Sequence, residues 1–399
     1  MVLRDTDASA RNDAALIALL AGVTAIGPFA MHMLAPALPS VALAFDISAA
    51  AAQLMLSLSL VAMALSNLVW GPVSDRFGRR PVLMAGLALA AVGSLTVALS
   101  TDLTVAIFGR VLQAAGASSG MVLARAVAQD IYGRSRSADV IGKITGVMVA
   151  APMIAPTISG IIVETSGWRG VFWLAAMLCV VLLMWSRSAL GETAPRTGEL
   201  SSPFGMLRSF AEIGRLQSFW RFAGFSAFSL AGFYYFVAIA PYVMRETFSA
   251  GPALYGVYFM FLSGTYMATN FVAGWFSARF GAERVMTTGA LLTLIGPVLV
   301  MTFLAMGVHD PLVLFLPGMI QSFGAGIATP NSMAGAVGVD PARAGAASGL
   351  LGFTQFMLAS LTTQVAGFVP HDTAWVVPIG MGVCLIASCV CLFGLKARA

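Results

Sequence analysis

The stretch that decides the fold is Gly71-Pro72-Val73-Ser74-Asp75-Arg76-Phe77-Gly78-Arg79-Arg80-Pro81. Its three arginines and one aspartate lie between two long apolar runs that carry almost no charge. A weaker copy, Gly274-Trp275-Phe276-Ser277-Ala278-Arg279-Phe280-Gly281, recurs 203 residues later. The pattern indicates two membrane helices joined by a charged turn. Its recurrence indicates an internal repeat, in which the second half of the chain has the same architecture as the first.

The composition excludes an ordinary soluble domain. The 399 residues are 59% hydrophobic and 10% charged, with a mean hydropathy of +0.88, whereas soluble domains have about 25% charged residues. A bilayer core needs about 20 apolar residues per helix, and helices satisfy their own backbone groups in lipid. We therefore predict an all-α integral membrane protein with twelve transmembrane helices in two six-helix bundles. The predicted spans are 14–39, 49–70, 81–100, 103–127, 140–163, 169–188, 219–243, 252–276, 284–306, 311–336, 344–368 and 373–395.

The basic residues predict the orientation. An even number of spans puts both termini on one side, and the excess of Lys and Arg puts that side in the cytoplasm. Of the 22 basic residues, Arg169 and Arg245 face the other way and Arg110 lies within a span. We expect a multi-pass inner-membrane protein whose net charge of +5 faces anionic lipid headgroups. Basic residues scattered over short loops argue against nucleic acid as a partner.

Signatures of enzymes and of secretion are missing. The first span is too long for a signal-peptide core, so we expect it to remain. Cys179, Cys384, Cys389 and Cys391 lie in apolar spans and are interpreted as small core residues, without a disulfide framework or a metal site. The sequence contains no Walker loop and no paired carboxylates within the spans. We expect no enzymatic activity, no cofactor or metal, and a monomer.

The longest polar stretch, about 189–216, divides six spans from six. We predict an amino-terminal bundle over 1–190, a cytoplasmic linker over 191–215 and a carboxy-terminal bundle over 216–399. An amphipathic helix near 203–215 is expected on the membrane surface. Internal repeats of this kind place a transport site between the halves near the midplane. At a shift of 203, Asn67, Val69, Gly71, Ser74, Arg76, Phe77, Gly78 and Val82 match Asn270, Val272, Gly274, Ser277, Arg279, Phe280, Gly281 and Val285, and Gln113 and Gly116 resemble Gln321 and Gly324.

The loop over 70–81 resembles the loop between spans 2 and 3 of the major facilitator superfamily of transporters. Its glycines allow tight turns, and Asp75 can face a positive helix end. The resemblance implies a latch between the two bundles on the cytoplasmic side, in which Asp75 contacts the start of span 11 near 344–347. The alternative is three topology-setting arginines with one counter-charge. The implied latch residues are Gly71, Asp75, Arg76, Gly78, Arg79 and Arg80.

Two further helices carry motifs of the same family. Arg110 opens span 4 in Phe108-Gly109-Arg110-Val111-Leu112-Gln113, at a depth where a charge costs at least about 2.5–3.5 kcal/mol. It resembles an arginine linked to proton coupling; the alternative is snorkelling to the external interface. Span 5 resembles the antiporter motif of drug exporters, which implies contact with span 8. Its motif residues are Gly146, Pro152, Pro156 and Gly160.

Span 1 contains His32-Met33-Leu34-Ala35-Pro36-Ala37-Leu38-Pro39. This resembles the drug/proton antiporter branch of the bicyclomycin and chloramphenicol exporters, where an aspartate usually precedes a similar Pro-Ala-Leu-Pro. No Asp or Glu lies more than about a turn inside any predicted span, so His32 is the candidate proton carrier, together with Arg110. Histidine titrates near physiological pH. The alternative is a neutral His32 that only donates or accepts a hydrogen bond.

Aromatic and amide side chains suggest how a substrate is bound. Spans 7 and 8 are rich in aromatics, which fit either helix packing or a pocket for lipophilic compounds. Gln321 and Gln355 can line the path or join helices. The predicted substrate-binding residues are His32, Arg110, Gln113, Tyr234, Tyr235, Tyr258, Gln321 and Gln355.

The sequence therefore predicts a secondary active transporter that exports drug-like or amphipathic small molecules by alternating access, in exchange for protons. One alternative is an uncoupled facilitator or metabolite exporter of the same fold, which the missing intramembrane acid favours. Another, of a different class, is a membrane sensor or scaffold without transport; the short loops argue against it.

Overall fold

The computed structural model describes residues 2–193 and 203–394, and within these ranges all regular structure is helical. Short 3-10 turns, Ala35–Ala37 and Pro341–Arg343, precede α2 and α12. The helices are α1 (Val2–Leu34), α2 (Leu38–Ala44), α3 (Ala49–Phe77), α4 (Arg79–Ala98), α5 (Leu103–Ser166), α6 (Trp168–Ala189), α7 (Pro203–Gly214), α8 (Gln217–Glu246), α9 (Pro252–Phe280), α10 (Ala282–Ala305), α11 (Leu312–Gly338), α12 (Ala344–Ala366) and α13 (Val376–Gly394).

The twelve predicted spans correspond to these helices. In the described ranges, eleven segments are long and apolar enough to cross a membrane. Predicted spans 4 and 5 are the two parts of α5, which breaks at Gly133, where φ is 63°. The predicted eighth span forms α9, a 29-residue helix that is not among the eleven. Its Ser263, Thr265 and Asn270 are polar and lower the mean hydropathy of the helix.

The twofold repeat appears in the turns of the backbone. Gly78 ends α3 with a φ of 97°, and Gly281 ends α9 with a φ of 88°. A side chain at either position would be strained, because residues with a Cβ rarely adopt a positive φ. The two glycines are 203 residues apart, the shift at which the sequence repeats.

The repeat also appears in the packing of helices within each half. Glycines of α4 lie directly against α5, and glycines of α10 lie directly against α11, so closely that an added Cβ would collide with the facing backbone or side chain. Small residues allow this approach in membrane bundles, where dispersion contacts replace the hydrophobic effect. The matched contacts are Gly86 with Gly116, Gly93 with Gln113, Gly289 with Gly324, and Gly296 with Gln321.

The helices form two six-helix bundles, as predicted. In the first, α1, α3 and α4 pack on α5, and α6 packs on α4; in the second, α8 packs on α12 and α13, and α11 packs on α9 and α10. The bundles meet along two seams, α3 with α12 and α5 with α9. We call the membrane face that carries Arg76, Arg79 and Arg80 the arginine-rich face, and the other one the opposite face.

Hydrogen bonds close the first seam towards the opposite face. Gln53 Nε2 donates to Ala238 O at 2.7 Å, and Gln364 Nε2 donates to Ala50 O at 3.0 Å. One to two turns deeper, Ser360 Oγ donates to a carbonyl oxygen of α3 at 2.8 Å. These contacts join the start of α3 to the second bundle. The end of α3 at the arginine-rich face lies outside the hydrogen-bonded part of the seam.

The second seam is built from the antiporter-motif residues of α5. Gly160 lies against the carbonyl group of Pro252, and Thr157 Oγ1 donates to Gly256 O at 2.8 Å. Glu164 Oε1 accepts a hydrogen bond from Ala253 N at 3.0 Å and so caps the start of α9 from the other bundle. The capping satisfies a backbone donor that the first turn of a helix leaves free. Further along the same seam, Gly146 lies against the Phe271 ring, and Pro152 and Pro156 lie inside α5.

The helix predicted in the linker is α7, and protein covers one side of it. Ile213 is fully buried and clusters with Ala347 and Leu351 of α12. Glu212 pairs with Arg208 at 2.9 Å and with Arg343, in the turn before α12. Because of these contacts, α7 docks on the start of α12. Part of its apolar side is therefore covered by protein and does not face the membrane surface.

We predict that Gly160→Leu opens the α5–α9 seam at the opposite face. The added side chain collides with backbone, and overpacking of this kind costs about 1–3 kcal/mol. Spin-label distances between the ends of α5 and α9 should lengthen and the melting temperature should fall. The matched control is Gly142→Leu, on the same helix with open space around it. Equal effects of the two variants would contradict the assignment of the seam.

We predict that α7 undocks in acid. The hydrogen bond from Arg208 and the charge of Arg343 hold the pKa of the Glu212 carboxyl below its ordinary value. The ionised Glu212 carboxylate stabilises the docking of α7 above the ordinary carboxyl pKa of about 4.3. This stabilisation is lost as the pH falls below that value and the carboxylate is protonated. Spin-label distances between α7 and α12 should lengthen there, and Glu212→Gln should lengthen them at neutral pH. The control is Glu283→Gln, which removes the ion pair with Arg221 elsewhere and should leave the distances unchanged. An unchanged distance in Glu212→Gln would contradict the role of Glu212 in docking α7.

Candidate functional site

His32 lies in the last turn of α1, where the two bundles meet. Its side chain is 5% exposed, and Nδ1 donates to Pro28 O at 2.8 Å. The other ring nitrogen, Nε2, is buried, and no described residue provides it with a hydrogen-bond partner. An unpaired buried polar atom costs free energy, so this atom marks a place where a proton, a water molecule or a ligand group would be stabilised.

Aromatic side chains of the second bundle surround the imidazole. The ring centroids of Phe233 and Tyr234 on α8 lie 5.7 and 5.9 Å from that of His32, and the centroid of Phe259 on α9 lies at 6.1 Å. The histidine belongs to the first bundle and its neighbours to the second. A change of charge on His32 would therefore act directly on the contact between the bundles.

Arg110 is buried in the first bundle, 1% exposed. Its Nη1 donates to Gln113 Oε1, its Nη2 lies 3.3 Å from Met31 Sδ, and its Cζ lies 5.9 Å from the Phe172 ring centroid. Its Nε has no hydrogen-bond partner among the described residues. Gln113 in turn donates to Ser94 Oγ at 2.8 Å, which fixes the amide. The position deep in the bundle rules out snorkelling to the surface.

His32 and Arg110 lie on α1 and α5, which pack against each other in the first bundle. Met31, which contacts the guanidinium, is adjacent to His32 in α1. Tyr234, which packs beside the imidazole, lies within electrostatic range of Arg110. His32, Arg110, Gln113 and Tyr234 therefore form one group at the junction of the bundles, which we call the junction site.

The other predicted binding residues have contacts of their own. Tyr235 points towards α13, where its hydroxyl donates to Val376 O at 3.0 Å. Tyr258 is half-buried beside Phe315, with ring centroids 5.3 Å apart. Gln321 packs against Gly296 between α10 and α11. Gln355 is buried on α12.

Sequence reasoning missed several neighbours of the junction site. Phe233 and Phe259 belong to the aromatic runs of α8 and α9, but alternation along a helix does not say which aromatic faces α1. Met31 and Phe172 carry no sequence signal at all. Glu164 reads as a residue of a helix end, and its contact with α9 depends on tertiary structure.

The implied latch residues form ion pairs within the first bundle in this structure. Asp75 pairs with Arg79, one turn further along the chain, and its contact with the start of α12 stays a prediction. Arg79 also pairs with Asp130 at 3.2 Å, and Arg80 Nη2 donates to Arg187 O at 2.8 Å. All these partners belong to the first bundle. The nearest cation takes the carboxylate, and α7 covers the start of α12.

A cavity of about 340 Å³ lies between the bundles at the opposite face. Pro39 and Ser40 line it from the first bundle, and Arg245, Pro252 and Tyr255 line it from the second. Arg245 Nη1 lies 3.4 Å from Pro39 O and spans the gap. The cavity is separate from His32.

Comparison with known proteins places the chain in a family. It matches the model of the Major Facilitator Superfamily over residues 20–355 and 222–399. It is 27% identical to an uncharacterised MFS-type transporter of Bacillus subtilis, over 95% of both chains. It is 26% identical to a bicyclomycin resistance protein homolog of Haemophilus influenzae, over 93% of both chains, and 27% identical to a chloramphenicol resistance protein of Pseudomonas aeruginosa, over 92% of this chain and 87% of the other.

Solved structures support the same fold. A D-xylose–proton symporter superimposes with a TM-score of 0.74 at 15% identity, over 96% of this chain and 95% of that one. A POT family transporter in complex with 5-aminolevulinic acid superimposes with a TM-score of 0.78 at 14% identity, over 95% and 96%. With a family model that covers most of its length and two bundles related by the expected repeat, this chain belongs to the Major Facilitator Superfamily.

Proposed function

We propose that the protein is a secondary active transporter that exports drug-like or amphipathic small molecules in exchange for protons. The observation that carries the proposal is His32, a titratable side chain with an unpartnered nitrogen, buried where both bundles meet. Relatives named for resistance to bicyclomycin and chloramphenicol support export of such compounds. The extent of aromatic surface around His32 is consistent with a lipophilic substrate.

The transport cycle we propose is a rocking of residues 1–190 against 216–399, with 191–215 as the connecting linker. The arginine-rich face is cytoplasmic by the positive-inside rule, and both termini lie on that side of the cell inner membrane. The hydrogen-bonded seams then close the external side, so this conformation faces inward. Export requires that these contacts break while the arginine-rich loops approach each other. The protein acts as a monomer in contact with anionic lipid headgroups.

Proton exchange at His32 follows from its surroundings. A protonated imidazole would repel the Arg110 guanidinium, because like charges interact strongly where water is excluded. A proton on His32 would therefore change the free energy of substrate binding in the junction site, and this is the coupling that proton-driven transport requires. The physical basis is a single ionisable group, His32, whose charge would act on Arg110 of its own bundle and on Tyr234 of the other.

The second candidate is an uncoupled facilitator or metabolite exporter of the same fold. One observation favours it: the described Asp and Glu side chains lie at helix ends and in loops, and none lies beside His32 or Arg110. In that case His32 stays neutral and only binds. The two candidates differ in whether transport responds to a pH gradient.

We predict that His32→Gln keeps substrate binding but removes its dependence on pH, because histidine can gain and lose a proton and glutamine cannot. Glutamine retains a hydrogen-bonding group and cannot carry the proton. The measurement is chloramphenicol affinity against pH in nanodiscs, together with efflux driven by a pH gradient in proteoliposomes. His309→Gln, in an exposed loop, is the matched control. A flat wild-type profile would favour the uncoupled facilitator, and gradient-driven efflux by His32→Gln would show that His32 is not the coupling site.

We predict that Tyr234→Ala and Tyr235→Ala act differently although the residues are neighbours in sequence. Tyr234 packs on His32, so its loss should change the affinities of individual substrates unequally. Tyr235 is bound to α13, so its loss should lower the melting temperature and reduce transport of all substrates alike. A resistance profile of cells that express each variant, with melting curves, separates the two. Equal profiles would place Tyr234 outside the substrate path.

A further inference from the structure

Arg110 is a buried cation without an anion. Its partners are the neutral amide of Gln113, the thioether of Met31 and the face of the Phe172 ring. Each of these interacts with a guanidinium, but none neutralises it. Burying a charge without a counter-charge is costly, and buried charges in proteins are normally paired. The site therefore lacks a negative group.

The described part of the chain does not supply that group. Asp102, on the same helix, caps the start of α5 through Val105 N. Asp130 pairs with Arg79 at the arginine-rich face. Glu164 caps α9 across the seam. The remaining described carboxylates lie at the ends of the membrane spans or outside them, such as Asp13, which begins the first span and pairs with Arg136.

A second cation lies on the same helix. Arg125 is four turns closer to the arginine-rich face, and its Nη2 lies 4.0 Å from Met148 Sδ, again a thioether and not a carboxylate. Among the described residues, neither Arg110 nor Arg125 forms an ion pair, so both add to a positive potential along α5. Such a potential attracts anions and repels cations.

Two hydrogen-bonding positions at the junction site are open. Arg110 Nε, a donor, and His32 Nε2 are both buried without a hydrogen-bond partner among the described residues. Because Nδ1 of His32 already carries the donated proton, Nε2 accepts in the neutral imidazole and donates only when the ring is protonated. Nη2 of Arg110 is occupied only by the sulfur of Met31, a weak acceptor on a flexible side chain that adapts easily. A carboxylate pairs with a guanidinium through two parallel N–H donors, and Nε with Nη2 offers two such donors.

We propose that the missing anion is the substrate, and that the transported molecules are amphipathic carboxylates with an apolar or aromatic body. The carboxylate binds Arg110 in place of the Met31 sulfur, and the body lies against Phe172, Phe233 and Phe259. This inference rests on the proposed transport function and narrows its substrate class from drug-like compounds in general to organic anions.

The test is a matched set of probes that share one apolar body and differ in charge: para-butylbenzoate, para-butylbenzamide and para-butylbenzylammonium. Binding to the purified full-length protein in nanodiscs is measured at neutral pH by calorimetry. Wild type should bind the benzoate at least about tenfold more tightly than the amide, since tenfold is the effect of about 1.4 kcal/mol. It should bind the ammonium compound more weakly still.

Variants assign the preference to Arg110. Arg110→Gln should bind the benzoate and the amide equally, and Arg110→Lys should keep part of the preference, because lysine retains the charge without the fork of donors. Arg169→Gln removes a guanidinium that already has partners, Ser100 O at 2.9 Å and the Trp168 ring, and should bind like wild type. Without ligand, Arg110→Gln should melt at the same temperature as wild type or higher, because an uncompensated buried charge is removed.

Several outcomes would overturn the inference: equal affinity for the three probes, preference for the ammonium compound, binding of none of them, or binding of chloride in place of the benzoate. A marked fall in the melting temperature of Arg110→Gln without ligand would show that the guanidinium stabilises the fold, and would also contradict the inference. Efflux from proteoliposomes separates this from the transport proposal. Gradient-driven efflux of the amide or ammonium probe with no benzoate binding would leave the proposed function standing. Benzoate binding at Arg110 without efflux of any probe would instead remove the transport function and keep the anion site.

Discussion

The bilayer core offers no hydrogen-bonding partners, and the rest of the structure depends on that constraint. Every backbone group in the spans must be satisfied within its own helix, which makes the chain a set of long helices. Helices that are surrounded by lipid gain little from burying apolar side chains, so they associate by close contact. The glycines of α4 against α5 and of α10 against α11 provide that contact twice, at the same relative positions.

Close glycine contacts occur both within the bundles and between them. Gly86 lies against Gly116 within the first bundle, and Gly160 lies against Pro252 across the second seam. Towards the opposite face, the first seam is also joined by side-chain hydrogen bonds, such as Gln53 to Ala238 O and Gln364 to Ala50 O. Hydrogen bonds of this type have a small net free energy because folding exchanges hydrogen bonds to water for them.

The electrostatics concentrate at the junction site. Arg110 is held among neutral groups, and His32 of the same bundle contacts aromatic rings of the other. Burying a charge at the junction site costs free energy in either bundle. A ligand or proton that changes this charge would therefore change the free energy of the contact between the bundles. In the proposed transport cycle, this coupling would need no long path through the protein, because the titratable group lies where the two bundles meet.

The sequence by itself determined the helices, their number, the twofold repeat and the bundles, because hydropathy, charge bias and glycine spacing are local properties. It also singled out His32 and Arg110, since a charged or titratable residue in an apolar span is conspicuous without any structure. Tertiary structure alone decided which aromatics face His32, that Tyr235 is bound to α13, that Asp75 pairs with Arg79, and that α7 covers the start of α12. Those choices depend on helix rotation and on which partner lies nearest in space, and a linear pattern does not record either.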